Sequence, residues 1–382
     1  MFWIKRCRTV FLQCSLFCLL GLLGLMLVPN LFAQSLELPI LQKKVSIKNF
    51  PLWIEVSPAD PYLVASYNIE KNEYYEWVAV VRMFDLRAER EVWHHEIDGQ
   101  EDPYASIKFS ADGRNLAISH TGTSTFFWVL RSDNGQELFR QPVLWPKYES
   151  QFALPNKTIL TSDHRLVATE ISQTGVIGLI SSESNKVVGK LRLPHSANNH
   201  TGRHALSVLN FSADEKLIYA ADNDEFGVWD VTTQRPIRSI KFSEFGEPND
   251  LFAVQDAFLS ADSRFLAIAY ANDSNSAYSV VIVNTQTGLK MASFPVDGIA
   301  RLHISSSNKV VTAITGNGAF YRYDIYQDLL MTKGRFFKAE YGANFYLSGV
   351  GFSRDGTSLV TNIDRADAQG SNHFSIWSLP PN

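Results

Sequence analysis

Phe109-Ser110-Ala111-Asp112-Gly113 decides the fold, because it recurs. Phe211-Ser212-Ala213-Asp214, Leu259-Ser260-Ala261-Asp262 and Phe352-Ser353-Arg354-Asp355 repeat it closely. Val56-Ser57-Pro58-Ala59, Leu160-Thr161-Ser162-Asp163 and Ile304-Ser305-Ser306-Ser307 repeat it more loosely. The Ser or Thr falls at 57, 110, 161, 212, 260, 305 and 353, with spacings of 45 to 53 residues. An internal period of this length overrides a domain count based on chain length alone. Ser and Asp close tight turns by bonding the local backbone, and Gly permits positive φ.

Working outward, each copy shows one internal grammar. An apolar strand leads into the turn, as in Ile107-Lys108-Phe109. A second follows it, as in Leu116-Ala117-Ile118 or Phe265-Leu266-Ala267-Ile268. A third comes after a polar turn, as in Val80-Val81-Arg82-Met83-Phe84 or Gly227-Val228-Trp229. A fourth closes the unit, as in Lys186-Val187-Val188-Gly189-Lys190-Leu191. Short strands with turn signals at regular spacing, and no helical period, mean an all-β repeat. Seven four-stranded antiparallel units fit a seven-bladed β-propeller. The seventh copy stops after its third strand, at Leu379-Pro380-Pro381-Asn382, while residues 36–47 precede the first copy. The N-terminal strand is therefore expected to complete the last blade and close the ring. Residues 34–382 form one domain in this reading.

Residues 1–33 read as an address. Lys5, Arg6 and Arg8 precede a stretch, 9–28, that is nearly all apolar, then Pro29 and Leu31-Phe32-Ala33. A basic start, an apolar core and a small residue at the junction describe a signal peptide. Twenty apolar residues are also long enough to span a bilayer, so an uncleaved N-terminal membrane anchor stays open. Either reading places the body outside the cytoplasm, periplasmic or extracellular. All three Cys (Cys7, Cys14 and Cys18) lie in this segment, so the body holds neither a disulfide framework nor a Cys-ligated metal site. Beyond residue 33 there are 32 basic and 39 acidic residues. A mildly acidic body without basic runs argues against a nucleic-acid partner.

The body resembles the WD-repeat type of β-propeller. Phe109 to Gly113 looks like that family's first inter-strand turn, and Trp229-Asp230 matches its third-strand ending. Phe84-Asp85 and Tyr323-Asp324 are weaker versions, and Trp377-Ser378 keeps only the Trp. His204, after Gly202-Arg203, stands where the family has its Gly-His. TolB-like and quinoprotein-like propellers share much of this grammar. The resemblance implies a scaffold that binds protein or peptide partners, usually without catalysis and without a cofactor.

Loops from one blade's last strand to the next blade's first share a rim at the channel mouth. Several are aromatic and charged, which is the chemistry of binding hot spots. Trp145, Tyr148, Phe245, Arg335, Phe336, Phe337 and Tyr341 are the candidate binding residues. The turn spanning residues 70–77 should share that face. The alternative is a lactonase- or lyase-like propeller enzyme with polar groups converging on the channel. His204, Asp250, Arg301 and Asn344, each near the start of an inner strand, are its candidates. No metal site is expected. His195, His200 and His204 lie in one loop that fixes no geometry, and Asp222-Asn223-Asp224-Glu225 reads as a turn. His94 and His95 are adjacent on a strand and should point to opposite faces as surface residues.

Overall fold

The computed structural model describes residues 39–380 except 48–50, 72–73, 75–76, 98–103, 111, 122–125, 143–157, 162, 164, 173–175, 185, 194–205, 207, 213, 223–224, 243–251, 273–276, 299, 336–344 and 366–372. The described chain is all strand and turn. It forms seven four-stranded antiparallel sheets, the seven-bladed β-propeller expected from the repeat. The inner strands of blades 1 to 7 are Trp53–Val56, Tyr104–Phe109, Thr158–Leu160, Val208–Phe211, Phe252–Leu259, Ala300–Ile304 and Phe345–Phe352. Six blades are continuous in sequence. In blade 7 the outer strand is Ile40–Ser46, which pairs antiparallel with His373–Ser378. The ring is thus closed by the N-terminal strand.

Each repeated Ser-x-Asp turn is one hydrogen-bonded device. Ser260 Oγ donates to Asp262 Oδ1 (2.8 Å) and accepts the Phe265 N–H (2.9 Å), while Asp262 Oδ1 also accepts the Arg264 N–H (3.1 Å). The same pair of bonds recurs at Ser110, Thr161, Ser212 and Ser353. At Ser305 a serine, Ser307, replaces the Asp. The Asp of Trp229-Asp230 does similar work one turn later: its Oδ1 accepts the Thr233 N–H (2.6 Å). Asp85, Asn284 and Asp324 cap the corresponding turns of their blades. This is local side-chain-to-backbone chemistry, which is why it shows in sequence.

All seven outer strands carry a β-bulge at the same place. Pairing with the third strand slips by one residue at Val92, Leu138, Val188, Ile237, Met291, Met331 and Gln42. A bulge twists an edge strand and blunts its use as a template for further pairing. Gln42 lies in the N-terminal strand, so that strand reproduces the outer-strand geometry of the continuous blades.

The core lies between blades. Among the described residues there are seven buried apolar clusters, one for each pair of neighbours. The cluster joining blades 7 and 1 contains Val45 from the N-terminal strand, Phe374 and Ile376 from blade 7, and Ile54 and Val64 from blade 1. Burying each such side chain contributes about 1.5–3 kcal/mol, so a blade is stable only beside its neighbours. Blade 7 also has two glycines in its inner strand where it faces Ile54 and Val56 of blade 1. A Cβ on Gly349 would lie 2.6 Å from Ile54, and one on Gly351 would lie 2.3 Å from Val56.

Candidate functional site

The hairpin pattern gives the ring two unlike edges. The Ser-x-Asp turns and the third-to-outer-strand turns lie on one edge. The starts of the inner strands, the ends of the second strands and the ends of the outer strands lie on the other. The second is the loop edge, on which the sequence places its candidate residues. Of these, Arg335 is described. It ends the outer strand of blade 6 (Leu329–Arg335), and its exposed guanidinium pairs with Asp297 at 3.4 Å. Asp297 is tied further into the edge by the Tyr321 hydroxyl, which accepts its N–H (3.1 Å), and by Asn317, whose side chain donates to its carbonyl (3.3 Å). Burial, reinforced by Asp297, pushes the Tyr321 phenol up to about 12. Trp145, Tyr148, Phe245, Phe336, Phe337 and Tyr341 lie outside the described residues.

The loop edge does present described aromatics. In blade 1 the second and third strands (Leu63–Lys71 and Trp77–Asp85) form a long hairpin that ends on this edge. Tyr74 at its tip is 72% exposed and Trp77 is 58% exposed, with Lys71 Nζ 5.2 Å from the Trp77 ring centre. The hairpin is stiffened below the tip by Arg82, which pairs with Glu70 and with Glu91 (3.1 Å).

The second candidate site is the channel, a cavity of about 370 Å³ lined by all seven inner strands. Arg301 lines it, while His204, Asp250 and Asn344 lie outside the described residues. The partners of Arg301 were not singled out in the sequence. Its guanidinium carbon stands 4.9 Å from the Trp53 ring centre, and its Nη1 lies 3.9 Å from Asp256 Oδ1. Blade 7 stands between blades 6 and 1, so this contact reaches across it. Further along the channel, Lys108 and Glu55 pair at 2.6 Å. Aligning the repeats on the Ser column would have found these groups. Glu55 and Lys108 stand two places before it, and Trp53, Asp256 and Arg301 stand four places before it.

His303, also two places before its Ser, is buried instead. Its ring stacks on Phe352 (5.0 Å) and tilts against Phe258 (4.8 Å). Burial pushes this imidazole down to about 4, against the opposing pull of a backbone bond at Arg354 and the nearby Asp355. The other His readings resolve in part. His94 is exposed and sits 2.6 Å from Glu91, as a surface residue should. His95 faces the opposite way, as expected, but it is packed rather than free. Its Nε2 meets the Gly135 carbonyl of blade 2 (2.8 Å), and its ring lies against Trp128 (4.8 Å). Asp222 and Glu225 close a turn between two strands, Asp222 Oδ1 accepting the Glu225 N–H at 2.9 Å. Among the described residues no group of His, Cys, Asp and Glu is arranged to hold a metal.

Neither a protein-family model nor a curated protein sequence matches the chain. Solved structures do. A chain in the crystal structure of a mitotic checkpoint complex superimposes with a TM-score of 0.62, covering 91% of this chain and 94% of that one, at 14% identity. The fold is that of a WD-repeat-like β-propeller. At 14% identity the likeness carries the architecture and no partner.

Proposed function

We propose that this chain is an exported, non-catalytic scaffold that binds a protein or peptide on its loop edge. The observation that carries the reading is the blade 1 hairpin, which holds Tyr74 and Trp77 exposed at the loop edge on a braced support. Exposed large aromatics on a rigid element are the usual anchors of an interface. The solved neighbour is a chain from a protein complex, which agrees with a role in assembly. The aromatic loop residues Trp145, Tyr148, Phe245, Phe336, Phe337 and Tyr341 would extend the same surface. Export rests on residues 1–33, whose basic start and apolar stretch form either a cleaved signal or an anchor.

Two experiments test this. Affinity capture from envelope extract, quantified by mass spectrometry, should enrich a defined protein that is lost with Tyr74→Ala/Trp77→Ala. Reproducible capture that ignores both this pair and Phe336→Ala/Phe337→Ala would refute the loop-edge assignment. Fusion of alkaline phosphatase to the C-terminus should give active enzyme, since its disulfides form only outside the cytoplasm. An inactive, intact fusion would refute export.

A further inference from the structure

The two charge pairs of the channel differ in one respect. Glu55 and Lys108 are closed on each other at 2.6 Å. Asp256 and Arg301 are held 3.9 Å apart, beyond hydrogen-bond reach. Both partners are restrained from closing. Asp256 Oδ2 accepts the backbone N–H of Leu302 at 2.9 Å, which fixes the carboxylate to the wall. The Arg301 guanidinium lies over the Trp53 ring at 4.9 Å. It makes no hydrogen bond among the described residues, and Asp256 Oδ1 accepts none. A planar fork of donors therefore stands beside an unused carboxylate oxygen at the channel mouth. A lone anion would suit Arg301 but would be repelled by Asp256, and a lone cation would meet the reverse. A group carrying both charges on adjacent atoms satisfies both.

We propose that the channel mouth binds a free α-amino acid. The carboxylate of the ligand accepts N–H groups of Arg301, and its ammonium donates to Asp256 Oδ1. The ligand side chain enters the cavity, where Trp53, Phe258 and Val350 supply apolar wall. The volume of about 370 Å³ is at the small end of ligand sites, which suits one amino acid and not a folded segment. This site is independent of the loop-edge scaffold reading and stands whether or not a protein partner docks there.

The test is calorimetric titration of the full chain in detergent with L-leucine, propionate and isopentylamine. Leucine should bind saturably, and each half-ligand should bind at least about tenfold more weakly. Arg301→Gln and Asp256→Asn should each weaken leucine by about tenfold or more, because either change leaves a ligand charge unpaired. Arg301→Lys, which keeps the charge but not the planar fork, should lose part of the affinity and guards against a misfolded glutamine variant. Arg131→Gln, on the opposite edge, should bind leucine like the parent. Three results would each overturn the proposal. One is leucine affinity unchanged in Arg301→Gln and Asp256→Asn proteins that melt normally. Another is propionate binding as tightly as leucine. The last is no saturable binding of leucine, phenylalanine or glutamate up to about 10 mM.

Discussion

Ser260→Ala measures what the repeated turn contributes. Ser260 is buried, and its hydroxyl both donates to Asp262 Oδ1 (2.8 Å) and accepts the Phe265 N–H (2.9 Å). Alanine removes both bonds and leaves a buried backbone donor without that acceptor, which costs about 1–3 kcal/mol. At about 2.1 cal/mol/K per residue, a propeller of this length loses roughly 1.5 °C per kcal/mol, so the melting midpoint at pH 7 should fall by roughly 1.5–4.5 °C. The pH dependence checks the cause. Burial pushes the Asp262 carboxyl up, but bonds from the Arg264 N–H, the Ser260 hydroxyl and the Arg264 side chain outweigh it and hold the group below its ordinary value. A carboxyl lowered in the folded state adds stability above its unfolded pKa and loses it as pH falls through the folded value. Removing Ser260 takes away one of those bonds. The gap between parent and variant should therefore narrow below about pH 4. Thermal melts followed by circular dichroism at pH 7 and at low pH, with Asp262→Asn and the double variant, complete a cycle. A Ser260→Ala protein as stable as the parent at pH 7, or a gap that widens in acid, would refute the reasoning.

His303 should make the ring acid-sensitive. Its imidazole titrates near 4 in the folded protein, against an unfolded value near 6.5, so the unfolded state binds the extra proton first. Stability should fall by about 2 kcal/mol between pH 7 and pH 5, and urea titrations of His303→Gln should show that slope removed. Gly351→Ala places a Cβ 2.3 Å from Val56 and should cost about 1–3 kcal/mol by overpacking, read as a lower urea midpoint. Val45→Asp puts a charge into the cluster that joins blades 7 and 1. It should cost at least about 3 kcal/mol and expose the third strand of blade 7 to limited proteolysis.

What was legible in the sequence was the local chemistry. The turn at the repeated Ser or Thr is made within six residues, so its seven copies, five of them with the Asp, display the blade count before any packing is known. The channel was legible only in part, because its chemistry is made between repeats. Arg301 meets Asp256 on the preceding blade and Trp53 across blade 7, and no motif within one repeat announces either contact. The bulge was hidden for another reason. Its residue is Val, Leu, Ile or Met in six blades and Gln in the seventh, so it looks like an ordinary strand position until the pairing register is known.

Closure by the N-terminal strand has a consequence for how the ring holds together. In an open array of repeats each unit meets only its neighbours, and the ends can fray one at a time. Here the last sheet contains both ends of the body: Ile40–Ser46 pairs with His373–Ser378. Val45 then packs with Phe374, Ile376, Ile54 and Val64, so one N-terminal residue joins blade 7 to blade 1. Neither end can leave without opening the interface where Gly349 and Gly351 leave room for Ile54 and Val56 of blade 1. Arg301 reaches from blade 6 to Trp53 on blade 1, so opening the ring there would also part Arg301 from Trp53.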